Sequence, residues 1–195
     1  RDRLRSRGLG DVYKRQLAHS NKEYTYEEAK ELFFHSISQF PQDFQDKAHE
    51  VLRDGFVDVM EKVGKRTGAY SSSVANLHPF ILLNFDHTLD SVFTVAHEAG
   101  HSIHSMYATQ TQPTMLQDYT IFVAEIASTF NEHTLLDYFL SLPDATKEEK
   151  IMVIQKAIDE IMSTFYRQTL FAEYEYLANH EAVSYTHLRA HETGA

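Results

Sequence analysis

His97, Glu98, His101 and His104 fall within eight positions, in the segment VAHEAGHSIHSMYA at residues 95–108. Imidazole and carboxylate both ligate transition metals, and both carry protons in general acid–base chemistry. At about 100° per residue a helix sets the three histidines in one narrow stripe, with Val92, Val95, Ala99, Ile103 and Met106 on the opposite side. Solvated helix faces are ordinarily built from Lys, Glu and Gln, which favour helix and hydrate readily. A stripe of imidazoles in their place points to a site.

His97 and His101, one turn apart, can converge on a single zinc ion at Zn–N distances of about 2.0–2.1 Å. Glu98 lies about 100° further round the helix, where it can stand beside the ion and accept a proton from a water that the metal polarises. This is the H-E-x-x-H arrangement, suited to attack on a peptide carbonyl. Chance alone produces it often enough that context must decide. Catalytic zinc usually takes three protein ligands, so a third is required. His104 is a poor choice, because seven residues place it about 10 Å along the axis from His97; it reads better as a polar lining or orienting group. Glu125 is a better one. In FVAEIASTFNE, the neighbours Val123, Ile126, Ala127 and Phe130 predict burial, and a buried carboxylate calls for a cation. Glu132, two turns later on the same face, reads either as a group that orients a ligand imidazole or as an ordinary solvated glutamate.

The elements that must position these residues can be read from caps and periodicity. Thr25 and Glu28 form a capping box ahead of Ala29, Leu32, Phe33 and Ile37 at helical spacing. Pro41 opens a second helix whose apolar positions, Phe44, Ala48, Val51, Leu52, Phe56 and Val59, predict that it continues to Gly64. The stretch GKRTGAYSSSVANLHPFILLNF, with its apolar run from Phe80 to Phe85, predicts a short β-ribbon. Asp86 or Asp90 is the expected cap of the histidine helix. A loop around Pro113 leads to a fourth helix over about Thr120–Leu140, and Pro143 ends it. Thr146 and Glu149 form another capping box; Ile151, Ile154, Ile158, Ile161, Met162 and Phe165 predict a long helix to about Asn179. The fold class is mainly α, with one β-ribbon just before the metal-binding helix.

Apolar side chains make up 43% of the 195 residues and aromatics 12%, ample for a packed core. There is no cysteine, which excludes disulfides and thiolate zinc sites and fits a reducing compartment, hence a cytoplasmic location. No run of 18 apolar residues and no apolar N-terminal segment is present, so neither membrane attachment nor a secretory signal is expected. The ends differ from the rest. Residues 1–16 hold six basic side chains against two acidic ones, and 183–195 breaks the preceding helical pattern. Both resemble translated adapter sequence, and both are expected to be non-native tails; a basic arm would be the alternative. Residues 17–182 carry 11 basic and 25 acidic side chains, a formal charge of −14, which argues against nucleic-acid binding.

GKRTGAY, HPFILLNF, HEAGHSIHS and FVAEIASTFNE, in that order, resemble the oligoendopeptidase F group of the M3 family of zinc oligopeptidases, with the similarity running over residues 17–182. The resemblance implies a zincin-type helical catalytic domain enclosing a deep channel and one Zn²⁺ per chain. It implies that His97, His101 and Glu125 are ligands, that Glu98 is the general base, and that oligopeptides are the substrates. It further implies that a strand beside the metal helix holds the extended peptide, with Gly68, Ala69 and Tyr70 near it; a purely structural hairpin is the other reading of that stretch. The family pattern continues on both sides, to an upstream helical portion and a downstream His- and Tyr-rich oxyanion segment. The chain is therefore expected to be an internal fragment of the catalytic domain, whose metal site outlasts its activity. Two other functions fit the same motif: a related helical zinc carboxypeptidase, and a non-catalytic metal-binding helical module.

Overall fold

A computed structural model describes residues 22–74 and 77–192, with side chains described as far as residue 180. The expected tail at 1–16 lies outside the described residues, as do positions 193–195. Residues 18–153 form one compact unit and carry every residue of the expected site.

Helix α1 (Tyr26–Ser36) starts at the capping box read from the sequence: the Glu28 amide donates to Thr25 Oγ1 at 3.2 Å, and the Thr25 amide donates to the Glu28 carboxylate at 2.7 Å. It buries Ala29 and Phe33, and Ile37 just beyond its end joins them. Helix α2 (Gln42–Val51) follows Pro41 but stops far short of Gly64. Gly55 adopts φ 91°, a left-handed conformation in which a right-handed helix cannot continue. The chain turns there and enters strand β1 (Val57–Asp58). The Phe56 and Val59 periodicity that suggested helix thus belongs to a turn and a strand end.

Strand β1 pairs in parallel with β3 (Phe80–Leu82), and β2 (Tyr70–Ser72) pairs antiparallel with β3, Ser71 opposite Ile81. The order β1-β3-β2 makes β2 an edge strand of the sheet. The expected ribbon therefore exists, with a third strand added to it. Beyond β3, Thr88 caps helix α3 (Leu89–Thr111), its hydroxyl accepting from the Ser91 amide at 3.2 Å. Asp86 is not the cap but braces it, accepting from the Thr88 amide at 3.1 Å and from the Thr88 hydroxyl at 2.6 Å; Asp90 sits in the first turn. A 3₁₀ turn at Thr114–Leu116 leads to helix α4 (Ile121–Ser141), which packs along α3. Helix α5 (Lys147–Ile161) begins at the second capping box, where the Thr146 amide donates to Glu149 at 2.9 Å.

The core gathers Phe33, Ile37, Val51, Leu83, Val92, Val95, Ile103 and Leu135, each nearly or wholly inaccessible to solvent. Phe93 of α3 stacks on Phe139 of α4, ring centroids 5.8 Å apart. The histidine helix is thus held on its apolar side by α1, the sheet and α4, leaving its imidazole stripe at the edge of the core.

Residues from 154 onward belong to a second unit: the end of α5, a π-helical turn at Met162–Tyr166, and helix α6 (Arg167–Glu192). The helix expected to end near Asn179 continues to Glu192, through a stretch with no Gly or Pro and with Ala, Leu, Arg and Glu among its residues. Ile154, Ile158, Ile161, Met162 and Phe165, the apolar positions that predict this helix, are exposed. No described helix is long and apolar enough to cross a membrane.

Candidate metal centre

His97 and His101 project from successive turns of α3, and their Nε2 atoms stand 3.0 Å apart. Glu125 approaches from the first turns of α4, with one carboxylate oxygen 3.6 Å from His97 Nε2 and the other 3.9 Å from His101 Nε2. Two bonds to a common zinc ion span at most about 4.2 Å, so all three separations suit one ion held by these atoms. Two imidazoles and a carboxylate are also the donor set that borderline-soft zinc takes when thiolate is absent. The structure brings together the trio expected from the sequence, and His104 is not part of the group.

Each member is oriented by a neighbour. Glu132, one α4 face with Glu125, accepts from His97 Nδ1, turning Nε2 toward Glu125 and His101. The His101 ring is hydrogen-bonded to the Ala124 backbone. Ser128 Oγ donates to Glu125 Oε2 at 3.0 Å. Burial and the charge of His97 hold the His101 imidazole below its ordinary pKa, favouring the neutral form a ligand needs. Burial also depresses His97, but the hydrogen bond and charge of Glu132 outweigh it and leave the group above its ordinary value.

The expectation that Glu125 is buried among apolar neighbours is corrected by the structure. Its side chain is 43% exposed, and Val123, Ile126 and Phe130 face outward. The face that α4 presents to the core consists of Ala124, Ser128, Asn131, Leu135 and Phe139, two of them polar. Glu125 reaches the histidines because this small-residue face packs close to α3, not because an apolar shell surrounds it.

Glu98 differs sharply from Glu125. It is 5% exposed, one carboxylate oxygen accepts from the Ser71 backbone, and Oε2 is buried with no hydrogen-bond partner. Burial pushes its pKa up to about 7, against the opposing pull of His97 and the Ser71 amide. A buried, unpartnered carboxylate oxygen beside a converging donor set fits a polar ligand held there. This supplies a second observation in favour of a metal and its water.

The Ser71 link also fixes β2 beside the site. Ser71 and Ser102 hydroxyls lie 2.8 Å apart, and Ser73 donates to Ser105 at 3.2 Å, so β2 runs along the Glu98 side of α3. Gly68, at φ 84°, makes the turn into this strand, and Asn84 Nδ2 donates to the Arg66 and Gly68 carbonyls at 2.8 Å each. Ala69 packs partly against the core and Tyr70 begins the strand, half-exposed. His104 stacks on Tyr119, centroids 4.0 Å apart, with Nδ1 unpartnered. Ser71, Ala124 and Ser128 were not foreseen; two of them act through backbone groups, which carry no residue-type signal.

The family model for peptidase family M3 matches residues 19–190. The chain belongs to peptidase family M3. Oligopeptidase PepF of Bacillus subtilis (strain 168) is 37% identical over 172 residues, which cover 88% of this M3 chain and 26% of that protein. The oligoendopeptidase F homolog of Borreliella burgdorferi is 44% identical over 135 residues, 69% of this chain and 22% of its own length. The crystal structure of a peptidase from Chlamydophila abortus superimposes with a TM-score of 0.72 at 44% identity, covering 85% of this chain and 28% of that one. The chain spans about a quarter of the length of the curated relatives it matches.

Proposed function

We propose that this M3 chain belongs to a zinc metalloendopeptidase that hydrolyses short oligopeptides, with His97, His101 and Glu125 holding one Zn²⁺ and Glu98 serving as general base. The observation that carries the proposal is the convergence of three donor groups, with the two Nε2 atoms 3.0 Å apart and the two Glu125 oxygens 3.6 Å from His97 and 3.9 Å from His101, next to a buried carboxylate oxygen with no partner. Zinc bound there supplies a Lewis acid that acidifies water and polarises a peptide carbonyl. Glu98 Oε2 takes up the proton released by the attacking water and returns it to the leaving amine, a task suited to a carboxylate whose pKa stands at about 7. Ser71 keeps the Glu98 side chain turned to the site. The outer edge of β2, which pairs with no other described strand, offers main-chain groups beside the Ser71 amide that Glu98 takes, and these serve an extended peptide entering past Gly68, Ala69 and Tyr70.

An endopeptidase is favoured over a carboxypeptidase by the oligoendopeptidase names of relatives such as the B. burgdorferi protein. The peptidase portion is residues 17–182 and its setting cytoplasmic. Zinc titration of the folded chain tests the metal assignment: uptake of about one ion is expected, abolished by His97→Ala or His101→Ala. Undiminished stoichiometry in both variants sinks it. Product analysis with the polypeptide extended to the length of its relatives separates the reaction types, since release of single C-terminal residues in place of internal cuts supports the carboxypeptidase.

A further inference from the structure

Gly100 sits between the two histidines on α3, facing the backbone of α4. A Cβ at this position would lie 2.8 Å from Ser128 Cα, 2.9 Å from the Ala127 carbonyl oxygen and 3.0 Å from Asn131 Nδ2. Two of these are main-chain atoms of α4 and cannot rotate aside. Restoring ordinary contact of 3.4 Å with Ser128 Cα requires a shift of at least 0.6 Å between the helices. Across the same contact, buried Asn131 donates from Nδ2 to the carbonyl of Ala96 at 3.3 Å, one residue before His97. Ser128, which Gly100 touches, is also the residue whose hydroxyl holds Glu125 Oε2.

We propose that Gly100 and Asn131 form a clasp that sets the spacing and register of α3 against α4, and so places the Glu125 carboxylate opposite His97 and His101. Both are positioning residues and neither touches the ion. The inference rests on the three-ligand reading above and adds how the third ligand is delivered. Metal–ligand distances tolerate only about 0.2 Å, whereas a Gly100 side chain displaces α4 by several times that. Glycine is otherwise unfavourable in a helix interior, so the close approach is what the position gains from it. Because His97 and His101 share α3, their spacing along the helix is insensitive to this contact; of the three ligands only Glu125 is carried by α4, which also carries Glu132.

A double-mutant cycle on the full chain tests the clasp, with Zn²⁺ dissociation constants obtained by chelator competition on variants shown to be folded by circular dichroism. Gly100→Ala is expected to weaken binding about 10- to 100-fold in the native background, comparable to other outer-shell changes, and by less than about twofold when Glu125 is already Ala. Equal losses in both backgrounds, or no loss from Gly100→Ala, overturn the clasp and leave the three-ligand reading standing. A native chain that takes up no Zn²⁺ overturns both. Where Gly100→Ala does not fold, Asn131→Ala, which removes the bond to Ala96 without creating an overlap, takes its place in the same cycle; the same pattern supports the clasp and equal losses overturn it.

Discussion

Glu132 accepts a hydrogen bond from Nδ1 of His97, the imidazole whose Nε2 stands 3.0 Å from that of His101. The carboxylate fixes both the ring plane and the tautomer, leaving the Nε2 lone pair directed at Glu125 and His101. Glu132→Ala is therefore expected to lower zinc affinity about 10- to 100-fold while leaving the stoichiometry at one ion. An unchanged dissociation constant would return Glu132 to the role of an ordinary helix residue.

Glu98 is assigned to proton transfer and not to ligation. Glu98→Gln preserves size and the ability to accept from the Ser71 amide through its amide oxygen, but it removes the basic oxygen. In the polypeptide extended to the length of its relatives, the variant is expected to keep its zinc and lose peptide hydrolysis by at least about 10²-fold. Loss of zinc together with activity would make Glu98 a ligand.

The local parts of this architecture were legible. Thr25 with Glu28, Thr146 with Glu149, and His97 with His101 are pairs three or four residues apart whose partnership follows from helix geometry alone. Long-range placement was less so. The apolar periodicity that ran through Phe56 and Val59 gave no sign that Gly55 would adopt φ 91° and divert the chain into β1. Around Glu125 the same reasoning reached a useful residue for the wrong cause. Val123, Ile126 and Phe130 point outward, while Ala124, Ser128 and Asn131 face α3, because the contact at Gly100 selects for small size and hydrogen bonding over hydrophobicity. The Ser71 amide that holds Glu98 could not be read at all, since every non-proline residue has one.

The second capping box predicts a pH dependence. Glu149 accepts from Lys22 Nζ at 2.9 Å and from the Thr146 amide at 2.9 Å, and these bonds lower its pKa to about 2. Because the folded value lies below the ordinary value of 4.5, the stabilisation is fully present above that value and is lost as pH falls toward about 2. Glu149→Ala is expected to destabilise the chain by about 1 kcal/mol at neutral pH. Denaturant unfolding at pH 7 and pH 3 checks this: the gap between variant and native protein should narrow at the lower pH, and a gap that stays constant contradicts the assigned linkage.

The choice of third ligand is decided by comparing Glu125 with His104. His104 is on the same helix as the other two histidines, but its ring is committed to stacking on Tyr119 and its axial distance from His97 is about 10 Å. Glu125 comes from a separate helix and places one oxygen toward each histidine. Glu125→Ala should therefore weaken zinc binding beyond the range of about 10- to 100-fold typical of orienting groups, while His104→Ala should stay within it. Since the Glu125 side chain is 43% exposed, its truncation removes little packing and should leave unfolding within about 0.5 kcal/mol of the native apo chain, whereas His104→Ala also loses the stack on Tyr119, so both are compared as folded proteins. That makes zinc affinity a clean readout. Equal and large losses from both substitutions would make His104 a ligand beside Glu125, which requires α3 to break near Ser102; a loss from His104→Ala alone would remove Glu125 from the site and, with it, the M3-type ligand arrangement proposed for this chain.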